Sequence, residues 1–219
     1  MKHLLLVFAL LLTAGAASAQ TREIYTSPKF KELAKDHKVL AILPFKATLS
    51  LRPNEVAKNG GAEGVHQLEQ REGLNVQSAL QSYFLKQKQD KDISVDVQDI
   101  AKTNALLAKN NITAEKLPTM TMEELAQLLG VDGIISGTFE SSQPFSNGAA
   151  IAMTMVVGFS GSTNTGKLSI NIHDGKTGEL LWKYDKSLGR GLGSDTGSII
   201  TVIMRKASRQ FPYSKEFKS

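Results

Sequence analysis

The residues Gly161-Ser162-Thr163-Asn164-Thr165-Gly166-Lys167-Leu168 come within one position of a phosphate-binding loop. In such a loop the glycines let backbone amides surround a phosphate, the lysine reaches its outer oxygens, and a following Ser or Thr holds magnesium. Here the last position is Leu168, and the residues after it alternate as a strand where a phosphate loop has to open a helix. A second glycine cluster, Gly189-Arg190-Gly191-Leu192-Gly193-Ser194, stands between a strand and a helix. Arg190 is its candidate anion contact, because an anion can settle on exposed helix amides. The spacing is not the dinucleotide fingerprint, and no signature acid follows in a second strand. A flexible connection is the plainer reading of that cluster.

His37, His66 and His173 belong to different elements, the chain has no cysteine, and no His-Glu-x-x-His run occurs. No metal site is expected from such a set. No Gly-x-Ser-x-Gly elbow is present, and the paired acids Glu123-Glu124 have a helix-capping explanation. The expectation is therefore no catalytic residue, no cofactor and no metal. The least ordinary stretch is Gly148 to Phe159. With period two it places Ile151, Met153, Met155, Val157 and Phe159 on one face and Ala150, Ala152, Thr154, Val156 and Gly158 on the other, a strand with one bulky and one small side. Read as a helix it is apolar nearly all round and has to be buried in protein or membrane. The five bulky residues are the candidate partner or membrane surface; a core helix or an inner strand is the alternative.

The elements that would position these residues can be read from the pattern. Ser27 and Pro28 open a short helix to Asp36. Lys38 to Phe45 is a buried strand closed by Pro44, and residues 46 to 64 are strand end and exposed loop. A helix runs from Val65 to about Gln89, with Gly73 as a kink or soft start. Ile93 to Val97 is a half-buried strand, and Asp99 caps a helix to Lys109. Thr121-Met122-Glu123-Glu124 is a capping box, with Gly130 as the C-terminal stop. Gly133 to Phe139 is a buried strand whose glycines mark close packing. Lys167 to Asp174 and Leu180 to Tyr184 form a hairpin around Asp174-Gly175-Lys176-Thr177-Gly178, with Trp182 a core or sheet-face residue. An amphipathic helix spans Ser194 to Arg209, stopped by Phe211-Pro212-Tyr213. The order predicts one α/β domain, a mixed sheet of about five strands covered by helices.

Lys2 and His3, the apolar run from Leu4 to Leu12 and the small residues ending Ala17-Ser18-Ala19 have the order of a secretory leader. The run is too short to span a bilayer, so residues 1 to 19 read as a cleavable signal peptide with Gln20 the new start. The remaining divisions are a segment from 20 to 37, the main domain from 38 to 211 and a tail from 212 to 219. The chain carries 26 basic and 21 acidic residues, a balance of +5 that becomes +4 without Lys2. Charges of both signs are interleaved, so nucleic-acid binding is not expected, while contact with an anionic membrane surface is allowed. Without cysteine there is no lipid attachment site and no disulfide, and stability rests on a packed core.

Three stretches taken together carry a family resemblance: Val39 to Phe45 ending Leu-Pro-Phe, Leu128-Leu129-Gly130-Val131-Asp132-Gly133-Ile134-Ile135-Ser136-Gly137-Thr138, and Ile172-His173-Asp174-Gly175-Lys176-Thr177-Gly178-Glu179-Leu180-Leu181-Trp182. In that order they resemble the CsgG-like envelope proteins, the group that includes the curli secretion-channel lipoprotein, the GNA-type surface lipoproteins and the TolB amino-terminal domain. The resemblance covers about residues 38 to 209 and implies fold more securely than activity. It implies a non-catalytic, exported periplasmic protein, with outer-membrane association allowed, that binds envelope proteins or copies of itself and supports assembly of envelope machinery. The alternative it implies is a subunit of an outer-membrane secretion pore using residues 148 to 174. A nucleotide-dependent enzyme built on Lys167 is the last alternative.

Overall fold

Leu40, Ala41 and Ile42 are completely buried, which is why β2 (Val39–Ile42) reads as an unbroken apolar run: both of its faces are covered. In the computed structural model the described residues are 22–141, 166–188, 204, 205, 207 and 211–215. The other strands are β1 (Arg22–Thr26), β3 (Lys46–Leu49), β4 (Asp96–Val97), β5 (Gly133–Ser141), β6 (Gly166–Asp174) and β7 (Leu180–Leu188). The helices are α1 (Phe30–Leu33), α2 (Pro53–Lys58), α3 (Gly61–Gln89), α4 (Ile100–Lys109) and α5 (Met122–Leu129). The strands make one mixed sheet of seven in the order β1-β7-β6-β5-β2-β4, with β3 also beside β5. β2 runs parallel to β4 and β5, β3 is parallel to β5, and β5, β6, β7 and β1 are successively antiparallel. The expected single α/β domain is present, with more strands than the five expected.

Alternation along each strand sorts side chains to two faces. One face carries Leu40, Ile42, Ile135, Phe139, Leu168, Ile170, Ile172, Trp182 and Tyr184 into a core with Val76, Leu80 and Phe84 of α3. Met204, Ala207, Phe211 and Tyr213 join that core from the C-terminal part of the chain. On the other face Ala41, Leu43 and Ile134 pack against Leu107 of α4 and Leu125, Ala126 and Leu129 of α5. Further along that face the register puts Ser136 and Thr138 beside Asn171 and Ser169, then Lys183 and Asp185, then Tyr25 and Glu23. Among the described helices, α3 covers one face broadly, and α4 and α5 cover the other over β2 and part of β5; the rest of that face, open with respect to the described helices, carries polar side chains.

Several expectations hold in detail. Asp99 caps α4 by accepting from the Ala101 amide at 2.8 Å. Thr121 Oγ1 accepts from the Glu124 amide at 3.2 Å while Glu124 Oε2 accepts from the Thr121 amide at 2.8 Å, the reciprocal box at the start of α5. The hairpin of β6 and β7 is present, its second strand reaching Leu188. Trp182 is a core residue, fully buried and stacked on Tyr184 with ring centroids 5.8 Å apart.

Other expectations need correction. The stretch 46–64 is not strand end and loop: it holds β3, α2 and the first turn of α3, which begins at Gly61. Gly64 sits so close to the Asn59 carbonyl that any Cβ would collide with it, so this glycine closes the α2–α3 corner. Gly73 is not a soft start, since the helix begins twelve residues earlier. It lies inside α3, where its carbonyl accepts from the Phe45 amide at 3.3 Å and a Cβ would run into the Phe45 carbonyl. The strand expected at Ile93 to Val97 shortens to β4, with Ile93 making an isolated bridge to Ser214. The helix from Pro28 to Asp36 reduces to α1 between turns. Of the helix expected from Ser194 to Arg209, only Met204, Arg205 and Ala207 are described, and they are helical.

Candidate interaction surface

Ser141 at the end of β5 lies opposite Gly166 at the start of β6, and Gly166 lies opposite Leu188 at the end of β7. Leu49, the last residue of β3, is in register with Ser141. One end of the sheet thus gathers four strand termini within a few strand spacings of about 4.8 Å. Residues 142–165 run between the first pair of termini, and residues from 189 onward continue from the last. Ile151, Met153, Met155, Val157, Phe159 and Arg190 all fall in these two stretches and lie outside the described residues. The described strands do establish that both stretches are anchored at the same sheet end.

Beside that end the open face carries charge. Lys167 is in β6 opposite Glu140 of β5 and Ser187 of β7, and a shallow hollow is lined by Glu23, Lys167, Asp185 and Ser187. Lys167 lies in a strand, so its amides serve the sheet ladder and cannot converge on an anion; the phosphate-loop likeness is one of letters. Lys183 Nζ is 3.1 Å from Asp185 Oδ2. Burial pushes the Asp185 carboxyl up, but hydrogen bonds from Ser169 and Lys183 and the charges of Lys183 and Lys167 outweigh it and hold it below the usual carboxylate range.

A second polar group is buried at the opposite end of the sheet. His37 Nδ1 is 2.7 Å from Tyr213 Oη, and His37 Nε2 is 2.8 Å from Asp174 Oδ1. Asp174 Oδ2 accepts from the Thr177 amide at 2.7 Å, the Thr177 hydroxyl at 2.8 Å and the Lys176 amide at 3.1 Å. Burial pushes the Asp174 carboxyl up, and the bonds from Thr177 and His37 more than offset that, leaving it lowered. Tyr213 is pushed far above its ordinary range by burial, and then by Asp174 and Asp132, so its hydroxyl stays a donor. In the neutral imidazole an ionised Asp174 can only accept; the proton sits on Nε2, and Nδ1 accepts from Tyr213.

This arrangement has the parts of an acid-base relay but no access. The His37 and Asp174 side chains are 4% and 1% exposed, so no substrate reaches them. The group joins the start of β2, the β6–β7 turn and the C-terminal segment. Sequence reasoning missed it because 37, 174 and 213 are far apart along the chain, and Asp174 was already explained by its turn.

The other two described histidines do not converge. His66 Nε2 is 3.2 Å from Glu115 Oε1 at the surface. His173 faces the α5 side, where burial lowers its pKa and Glu123 opposes that shift. No group of three metal-ligating side chains occurs among the described residues. No helix among them is long and apolar enough to cross a membrane.

No protein-family model matches the chain, nor does any curated protein. Solved structures are similar. Lipoprotein GNA1162 from Neisseria meningitidis aligns over 79% of this chain and 96% of its own, at 14% identity and TM-score 0.46. The PelC dodecamer from Paraburkholderia phytofirmans aligns over 86% of this chain and 95% of its own, at 13% identity and TM-score 0.41. The LpoB C-terminal domain from Salmonella enterica covers 74% of this chain and 93% of its own, at 9% identity and TM-score 0.33. A GNA-type lipoprotein, one of the groups the sequence resembles, is therefore among them. All three scores are below 0.5.

Proposed function

We propose that this chain is an exported, non-catalytic protein of the cell envelope that works through protein contacts made at the sheet end where β3, β5, β6 and β7 terminate. The observation that supports this reading is the shared register of Ser141, Gly166 and Leu188. It anchors at one place the two stretches whose composition is least explained by a core, the bulky-faced Ile151 to Phe159 and the glycine-rich turn with Arg190. The leader pattern supports export, and the buried His37–Asp174 pair is sealed from solvent. Replacing Met153 and Met155 with Asp is expected to abolish capture of envelope partners by the purified protein while leaving its thermal unfolding unchanged. Equal capture by both forms would remove the proposal.

A pore subunit is the second reading, and one observation favours it. Residues 142–165 number 24 and connect two adjacent antiparallel strands, while a membrane-crossing hairpin needs two strands of about 9–11 residues each. The pore stretch expected from the sequence, 148 to 174, is shorter by its last part, because residues 166–174 are β6 and lie between β5 and β7. A pore predicts that the protein fractionates with the outer membrane and resists carbonate extraction. Complete release into the soluble periplasmic fraction would eliminate it.

A further inference from the structure

We propose that β1 is a docking edge for the β1 of a second copy of this chain, the two strands running antiparallel about a two-fold axis at Ile24. The ladder to β7 fixes which backbone groups are available. The Ser27 amide donates to the Leu181 carbonyl at 2.8 Å, and the register pairs Thr26 with Trp182 and Tyr25 with Lys183. In an antiparallel ladder hydrogen-bonded and non-bonded pairs alternate. Ser27, Tyr25 and Glu23 therefore turn their N–H and C=O groups toward β7, while Thr26 and Ile24 turn theirs to the outer edge. Among the described residues β1 pairs with β7 alone, and such an edge is a template for another strand.

The side chains specify which strand fits. On the open face, cross-strand rows run Glu23–Asp185 and Tyr25–Lys183. A two-fold axis at Ile24 sets Glu23 opposite Tyr25 of the second copy, so the acidic row of each copy runs on into the row that carries Lys183 in the other. Opposite charges then share a row and like charges are kept in different rows, which is what a self-complementary contact requires. Tyr25, 46% exposed in the single chain, is covered by that pairing. Moving the axis to Thr26 would bring Pro28, which has no N–H, opposite Ile24. Ile24 is the axis that uses the outward groups of both strands. The contact does not depend on the sheet end proposed above, and failure of one leaves the other standing.

The chain has no cysteine, so a single introduced thiol reports on one position. In the proposed pairing the two Ile24 Cα atoms are about 5.5 Å apart, within the range of a disulfide. Ile24→Cys is expected to form a disulfide-linked dimer on mild oxidation, whereas Glu23→Cys, which meets Tyr25 and not itself, stays unlinked. Sedimentation of the cysteine-free protein should show a concentration-dependent dimer. Ile24→Pro, which deletes an outward N–H and leaves the ladder to β7 intact, should weaken that dimer by about tenfold or more, with circular dichroism reporting that the fold is retained. A protein monomeric at every concentration overturns the proposal. So does an oligomer in which Ile24→Cys remains unlinked, since its copies meet through another face.

Discussion

Phe45 lies between two glycines that leave no room for a side chain: Gly73 of α3 touches its backbone and Gly137 of β5 lies under its ring. In an exposed helix interior Gly→Ala stabilises by about 1 kcal/mol. At position 73 the added methyl would collide with the Phe45 carbonyl, a backbone atom that cannot swing aside, so α3 would have to move off the sheet. Overpacking of this kind costs about 1–3 kcal/mol, and we expect Gly73→Ala to lower the denaturant midpoint rather than raise it. A rise would show that α3 can shift without disturbing the sheet. The sequence contains Gly73 and the Leu-Pro-Phe run, but their contact joins residues 28 positions apart, and local pattern carries no information about such a pair.

At the scale of elements, legibility followed locality. The α5 box, the α4 cap and the β6–β7 hairpin each rest on residues within a few positions of one another, and each was readable. Thr121→Ala removes the acceptor for the Glu124 amide and should cost about 1 kcal/mol, a fall of about 2–4 °C in Tm for a domain of this size. An unchanged Tm would mean that tertiary contacts alone hold the start of α5. The elements that were missed depend on remote partners. β1 is five residues whose strand character comes from pairing with β7, about 160 positions later. β3 and α2 were hidden by Pro53, Gly60, Gly61 and Gly64, which mark breaks in most sequences but here form the corner between α2 and α3. Both segments in which candidate site residues were placed, 148–159 and 189–194, lie outside the described residues, so only their anchoring points are read from the fold.

For the molecule as a whole, three carboxylates brace the fold, two of them where distant parts of the chain are joined. Asp132 accepts from the Lys38 and Val39 amides at 2.8 and 2.9 Å and ties the start of β2 to the entry of β5. Asp185 braces the open face, and Asp174 connects the β6–β7 turn, through His37, to Tyr213 of the C-terminal segment. That segment is held further by the Ser94 amide donating to the Tyr213 carbonyl at 3.0 Å and the Lys215 amide to the Asp92 carbonyl at 2.9 Å. For all three carboxylates, burial raises the pKa and bonding outweighs it, so each is lowered in the folded state. A carboxylate whose folded pKa lies below its unfolded value stabilises the fold above the unfolded pKa, near 3.9 for aspartate. That contribution is lost as pH falls through the folded value. The carboxylate contribution should therefore hold down to about pH 4 and be lost steeply below, while His173, whose pKa burial lowers, adds a smaller loss that begins as pH falls below its unfolded value near 6.5. Asp174→Asn keeps an acceptor for His37 but removes the charge, so the variant should be less stable at pH 7 and show a shallower loss below about pH 4. Chemical denaturation at a series of pH values measures both slopes. Parallel curves for the two proteins would mean that Asp174 titrates alike in the folded and unfolded chains, and that the tie between the turn and the C-terminal segment does not draw on its charge.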